Sequence, residues 1–158
     1  MKRIETLNKV VELAEQRRDE ALAALGRLER EMQQARQQMD QLEAYASEAQ
    51  QRWSARRGST VDPAVLGHHR QFMQKIEHAI GFQRSVLASR QNQIEQQQAQ
   101  VHSAERDLAG LRRYTERQQQ LLVSLALRQE QKQTDEMAMV VYLRQRQIEA
   151  ARNGGISQ

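Results

Sequence analysis

The chain has 158 residues, with one Pro, seven Gly, no Cys and only 4% aromatic residues. The missing cysteines exclude a disulfide framework and any thiolate metal site, and the rest argues against a compact mixed fold. The net charge is +4, carried by 20 Arg and 4 Lys against 20 acids, and Arg suits an acidic protein partner as well as nucleic acid.

The length suggests one domain. Hydrophobic content of 39% with 26 Gln suits a thin helical object with little core. Met1-Lys2-Arg3 is basic, but no apolar stretch follows, and no run of 18 apolar residues occurs. A soluble cytoplasmic protein with neither signal peptide nor membrane span is therefore expected.

The first element is announced by fifteen positions from Ile4 to Trp53 that step by three and four in alternation. They are Ile4, Leu7, Val11, Ala14, Arg18, Ala21, Leu25, Leu28, Met32, Ala35, Met39, Leu42, Ala46, Ala49 and Trp53, and only Arg18 is polar. This is a coiled-coil seam about seven heptads and roughly 75 Å long, on a helix over about 2–57. A turn at about 58–62 follows, because Gly58, Ser59, Asp62 and the only Pro, Pro63, cluster there. Asp62 is placed to cap the next helix, with Pro63 at its first position.

The second seam runs from Leu66 to Thr115 without a slip of phase. Leu66, Met73, Ile76, Ile80, Leu87, Ile94, Val101, Ala104, Leu108 and Leu111 are its apolar members, and His69, Gln83, Arg90, Gln97 and Thr115 its polar ones. When the chain is folded back at Ser59, facing seam positions have numbers adding to 118 or 119 throughout: Trp53 with Leu66, Ala46 with Met73, Leu25 with Ile94, Leu7 with Leu111. One register fits both seams, which predicts an all-α fold, a long antiparallel two-helix coiled coil. Two readings stand for Arg18, Gln83 and Arg90: long side chains leaving a thin core for solvent, or polar groups that fix register or create a flexible middle.

Helix 2 is expected to continue to about 151, where Asn153-Gly154-Gly155 is a stop signal and residues 152–158 a disordered tail. The C-terminal helix thus extends beyond the hairpin by about 35 residues, or roughly 50 Å. That overhang carries Leu121, Leu122, Leu125, Val140, Val141 and Leu143 without an intramolecular partner, the mark of an interaction surface. Three readings stand: it enters a partner protein, it joins two rods, or it folds back on helix 1. A second candidate surface is Tyr45 with Phe72, at one level on the flank of the hairpin near the turn. They form a binding patch, or they wrap the edge of the seam.

Catalytic chemistry is absent from the pattern. There is no Gly-rich phosphate loop, no zincin pair and no assembled nucleophile set, and His68, His69, His78 and His102 lack ligand spacing. Basic groups such as Arg52-Arg56-Arg57 are interspersed with acids and lack aromatic platforms, against nucleic-acid binding. No enzyme activity, cofactor or metal is expected.

Ala24-Leu25-Gly26, Gln33-Gln34-Ala35, Gln38-Met39-x-x-Leu42-x-x-Tyr45 and Gln71-Phe72-Met73-x-x-Ile76-Glu77-x-Ala79-Ile80 resemble the FliJ family of flagellar export proteins. Glu116-Arg117-Gln118 and Gln131-Lys132-Gln133-Thr134-Asp135-Glu136 extend the resemblance over nearly the whole chain. The resemblance implies a motility component of the flagellar type III export apparatus, cytoplasmic and peripheral at the inner membrane, without direct membrane insertion. It further implies a stalk in the ring of a FliI-like export ATPase and contact with its regulator. An FlhA-like export gate protein and export chaperones are the other implied partners. By resemblance, Gln38, Leu42, Tyr45, Phe72, Ile76 and Ala79 face the gate. Ala49 and Gln83 depart from the family, whose members can carry Tyr and His there. The ring contact falls to Leu121, Leu122, Leu125, Val140, Val141 and Leu143. The alternatives are a generic cytoplasmic coiled-coil scaffold or the stalk of a related type III secretion system.

Overall fold

The computed structural model describes residues 2–56 and 62–156. Every described residue except Arg56 and Asp62 is α-helical, in two elements, α1 (Lys2–Ala55) and α2 (Pro63–Ile156). The fold is the expected all-α helical hairpin. The expected turn at 58–62 lies, apart from Asp62, outside the described residues, as do Ser157 and Gln158 at the end of the expected tail.

The start of α2 follows its local chemistry. The backbone N–H of Ala64 donates to Asp62 Oδ1 at 3.2 Å, and that of Leu66 to the Asp62 carbonyl at 3.2 Å. Pro63 fills the first helical position, where its missing N–H costs nothing. The far end departs from expectation. Asn153, Gly154 and Gly155 stay helical, to Ile156, and neither glycine takes a positive φ. Glycine disfavours helix by about 1 kcal/mol but does not forbid it, and the left-handed cap that would end the helix is not made.

Two compact units divide the chain: residues 12–108, and residues 1–11 together with 109–158. In the first, the seam is visible as burial. All its positions in α1, and all those in α2 except Leu66, are buried or half-buried, while almost every other position is exposed. The core is a single file: Ala14, Met32, Ala35 and Met39 from α1, and Ile76, Gln83, Ile94, Val101 and Leu108 from α2. Leu108 is the most enclosed at 2% exposure.

Cross-helix bonds fix the register of this unit. Gln83 Nε2 donates to the Ala35 carbonyl oxygen at 2.8 Å, and Gln97 Nε2 to that of Ala21 at 3.0 Å. Both pairs have numbers adding to 118, as the expected register requires. Side chains that meet side chains have higher sums: Gln83 Nε2 reaches Gln38 Oε1 at 3.3 Å, and Arg90 Nη1 meets Glu31 Oε2 at 2.8 Å. The offset has a geometric cause. Helical side chains lean toward their own N-terminus by about one position. In an antiparallel pair both partners lean, so their tips meet about two positions past the backbone register.

The same lean corrects the expected pairing at the tip. Trp53, expected at the level of Leu66, stacks on His69, ring centroids 4.2 Å apart and planes 8° from parallel. Leu66 is left 37% exposed. The three polar seam residues also divide. Gln83 is buried at 8% exposure and bonded across the seam. Arg90 leaves the seam for the Glu31 carboxylate, and Arg18 turns to Asp19 beside it on α1 at 3.0 Å.

In the second unit, Ile4, Leu7 and Leu111 are half-buried and Thr115 is buried at 6% exposure. The Thr115 hydroxyl donates to the Leu111 carbonyl oxygen at 2.8 Å. From Gln119 to Gly155 every residue of α2 is exposed.

Candidate partner-binding surfaces

With Ile4 and Leu66 each taken as heptad position a, Gln38, Tyr45, Phe72 and Ala79 all fall at g, and Leu42 and Ile76 at d. In an antiparallel pair the g positions of both helices share one flank, so six residues scattered over 42 positions come to one side of unit 12–108. They are not equivalent. Gln38, Tyr45 and Phe72 are exposed, the aromatics at 60% and 49%, whereas Leu42 and Ala79 are half-buried and Ile76 is buried. Tyr45 and Phe72 can contact a partner without disturbing the seam, whereas Gln38 also accepts from the Gln83 amide across it. Ile76 belongs to the core, and Leu42 contributes to it.

Phe72 also lines a shallow groove of about 310 Å³ with Ala49, Arg52, Trp53, Val65 and His69. Arg52 is held by Glu48, four residues back, at 2.8 Å. The groove therefore presents aromatic and apolar walls with cationic groups at the rim. Sequence reasoning singled out Phe72 but missed its continuation. Val65, Phe72, Ala79 and Val86 recur every seven residues, an apolar strip beside the seam. Phe82 stands next to that strip, 68% exposed. The seven-residue recurrence was available in the sequence; it is masked there by the stronger a and d signal.

The second surface is the α2 segment after Gln118. Leu121, Leu122, Leu125, Val140, Val141 and Leu143 are 43% to 57% exposed. Val123, Leu127, Met137, Met139, Tyr142 and Ile148 are exposed as well, so the apolar groups surround the helix. For a helix with no lateral cover this is far more apolar surface than solvent exposure favours.

Among the described residues, no group of three or more His, Cys, Asp or Glu could hold a metal ion, and no helix is long and apolar enough to cross a membrane. His102 lies 4.0 Å from Glu105, an exposed pair on one helix.

No curated protein matches the chain closely enough to serve as a relative. A family model does match: that of the flagellar FliJ protein, over residues 1–147. The match runs through both helices and into the apolar overhang, and the chain therefore belongs to the FliJ family of flagellar export apparatus components.

Proposed function

We propose that the chain is the central stalk of the export ATPase ring and an adaptor between that ring and the export gate, with export-chaperone character and no catalytic activity of its own. The observation that carries the stalk reading is the apolar surface of α2 after Gln118, exposed on every side of one helix. A one-sided groove would cover only part of it, whereas the lumen of a ring covers all of it. Arg128, Arg144 and Arg146 on the same segment suit acidic groups on the lumen wall. The gate reading rests on the flank with Gln38, Tyr45 and Phe72 exposed and Leu42, Ile76 and Ala79 behind them. A protein working there is peripheral to the cytoplasmic face of the inner membrane, held through its partners.

The test is co-purification with the export ATPase, with hydrolysis followed as the chain is added. Truncation after Tyr114 removes the exposed apolar segment. The truncated chain is expected to keep its hairpin and gate contact and to lose stimulation of the ATPase. Full stimulation by the truncated chain overturns the stalk assignment.

A further inference from the structure

A main-chain carbonyl can only accept, so the 2.8 Å bond from Gln83 to the Ala35 carbonyl oxygen fixes which end of the Gln83 amide is Nε2. The second N–H of that nitrogen is a donor too, and it reaches Gln38 Oε1 at 3.3 Å. Gln38 is thereby held with its oxygen toward the seam and its NH2 group away from it, where that group meets no acceptor among the described residues. One heptad farther from the tip the flank repeats the arrangement. Arg90, which has donors only, bonds Glu31 Oε2 at 2.8 Å and Gln93 Oε1 at 3.4 Å. Gln93 is exposed and also at g, so its amide is turned the same way.

The charges of the flank carry the same bias. Position c lies next to g around each helix, and the g and c positions from Glu31 to Ala55 and from Val65 to Gln93 include two carboxylates, Glu31 and Glu48. Each already holds a guanidinium at 2.8 Å, of Arg90 and of Arg52. Lys75, at c and exposed, has no carboxylate partner among the described residues.

We propose that Gln83 and Arg90 make this flank a donor surface, and that the partner segment docked on Tyr45 and Phe72 carries an Asp or Glu side chain that accepts from Gln38. Gln83 is a positioning residue, acting on the partner through the Gln38 amide. This chemistry belongs to the gate reading of the flank and rests on it. The segment that fits has an apolar group for the aromatic pair and a carboxylate one heptad away along α1, roughly 10 Å. A main-chain carbonyl would accept from Gln38 as well, but only a carboxylate also answers the charge of Lys75.

The test uses the full chain and the cytoplasmic domain of the gate protein, with affinity read by titration calorimetry. Gln38→Glu keeps the shape and an oxygen for Gln83, so melting should stay with the parent. It replaces the outward NH2 by a second oxygen, and binding is expected to weaken about tenfold or more as two carboxylates meet. Gln33→Glu adds the same charge at an exposed b position on the outer face, and is expected to bind as the parent does. Gln38→Lys keeps an outward donor and is expected to bind at least as tightly as the parent, with a steeper loss as salt rises. Gln83→Leu frees the Gln38 amide to turn and is expected to weaken binding several-fold. In the Gln38→Lys chain, where no amide needs orienting, the same Gln83→Leu is expected to change binding little.

Equal weakening by Gln83→Leu in both chains would mark a purely structural glutamine and overturns its positioning role. Gln38→Glu binding as well as the parent, or no worse than Gln33→Glu, overturns the proposal, and so does Gln38→Lys binding as poorly as Gln38→Glu. If Tyr45→Ala with Phe72→Ala weakens binding while Gln38→Glu does not, this proposal falls alone. If neither weakens it, the gate reading of the flank falls with it.

Discussion

The side-chain amide of Gln83 donates to the backbone carbonyl oxygen of Ala35, 2.8 Å away and 48 positions distant in sequence. Fourteen residues further along α2, Gln97 makes the same bond to Ala21. Each glutamine thus occupies a core position and clips α2 to the main chain of α1, not to a side chain that could swing away. A slide of one helix by a turn would break both clips together, and an amide left buried without a new partner costs about 1–3 kcal/mol. The single file of Ala, Met, Ile and Leu around them sets no such penalty, because apolar contacts re-form after a slip.

Replacing Gln83 by Ala is expected to lower stability by about 1–2 kcal/mol, through the lost bond and the lost packing. Gln83→Leu keeps the volume and should unfold at nearly the same urea concentration, but with Gln97→Leu it should relax the register. Disulfide mapping between single cysteines on the two helices reads the difference. A double Leu variant with one sharp register would show that the clips do not specify it.

Cysteines at Leu25 and Ile94, facing positions of the seam, are expected to form a disulfide within one chain. Non-reducing electrophoresis should show a faster-migrating monomer. Links formed only between chains would contradict the hairpin.

Leu108 and Leu125 are both leucines on α2, at 2% and 50% exposure. Leu108→Ala is expected to cost about 2–3 kcal/mol, and Leu125→Ala less than about 0.5 kcal/mol. Urea unfolding of the two variants makes the comparison. Equal losses would mean that the segment after Gln118 is covered within the chain.

Tyr45→Ala with Phe72→Ala is expected to weaken binding of the gate protein by about tenfold or more while helix content and melting stay close to the parent. Ile76→Ala should lower both, because Ile76 is a core residue. If the aromatic pair lowers the melting temperature as much as Ile76→Ala does, the flank residues hold the hairpin and the docking idea fails.

Much of this fold was legible in advance because a heptad pattern constrains both helices at once. Ile4 to Trp53 and His69 to Thr115 lie where their spacing puts them, and Asp62 caps as its position suggests. What stayed hidden depended on side-chain reach. Trp53 was matched to Leu66 on backbone level alone, whereas leaning side chains carry its ring to His69. Gln83 reads as polar at a core position, and the pattern cannot distinguish an amide that turns outward, as the Arg90 guanidinium does, from one that bonds inward. The glycines at 154 and 155 read as a stop, yet a modest propensity cost does not decide a terminus. The candidate surfaces were partly legible for the same reasons. Tyr45 and Phe72 could be assigned to one flank from position, but the buried state of Ile76 and the groove around Trp53 and Val65 follow from packing that no single-helix periodicity encodes.

The two clips also limit how such a chain can change length. Losing one residue between Gln83 and Gln97 moves every later side chain of α2 around its helix by about 100°, and carries Gln97 off the inner face. Losing seven residues there keeps the face but pulls the second clip up α1 by a full heptad, away from Ala21. A matched loss of seven between Ala21 and Ala35 brings Gln97 level with Ala21 again. Viable length variants of this hairpin should therefore arise as paired heptad deletions or insertions, one in each arm at mirrored distances from the tip.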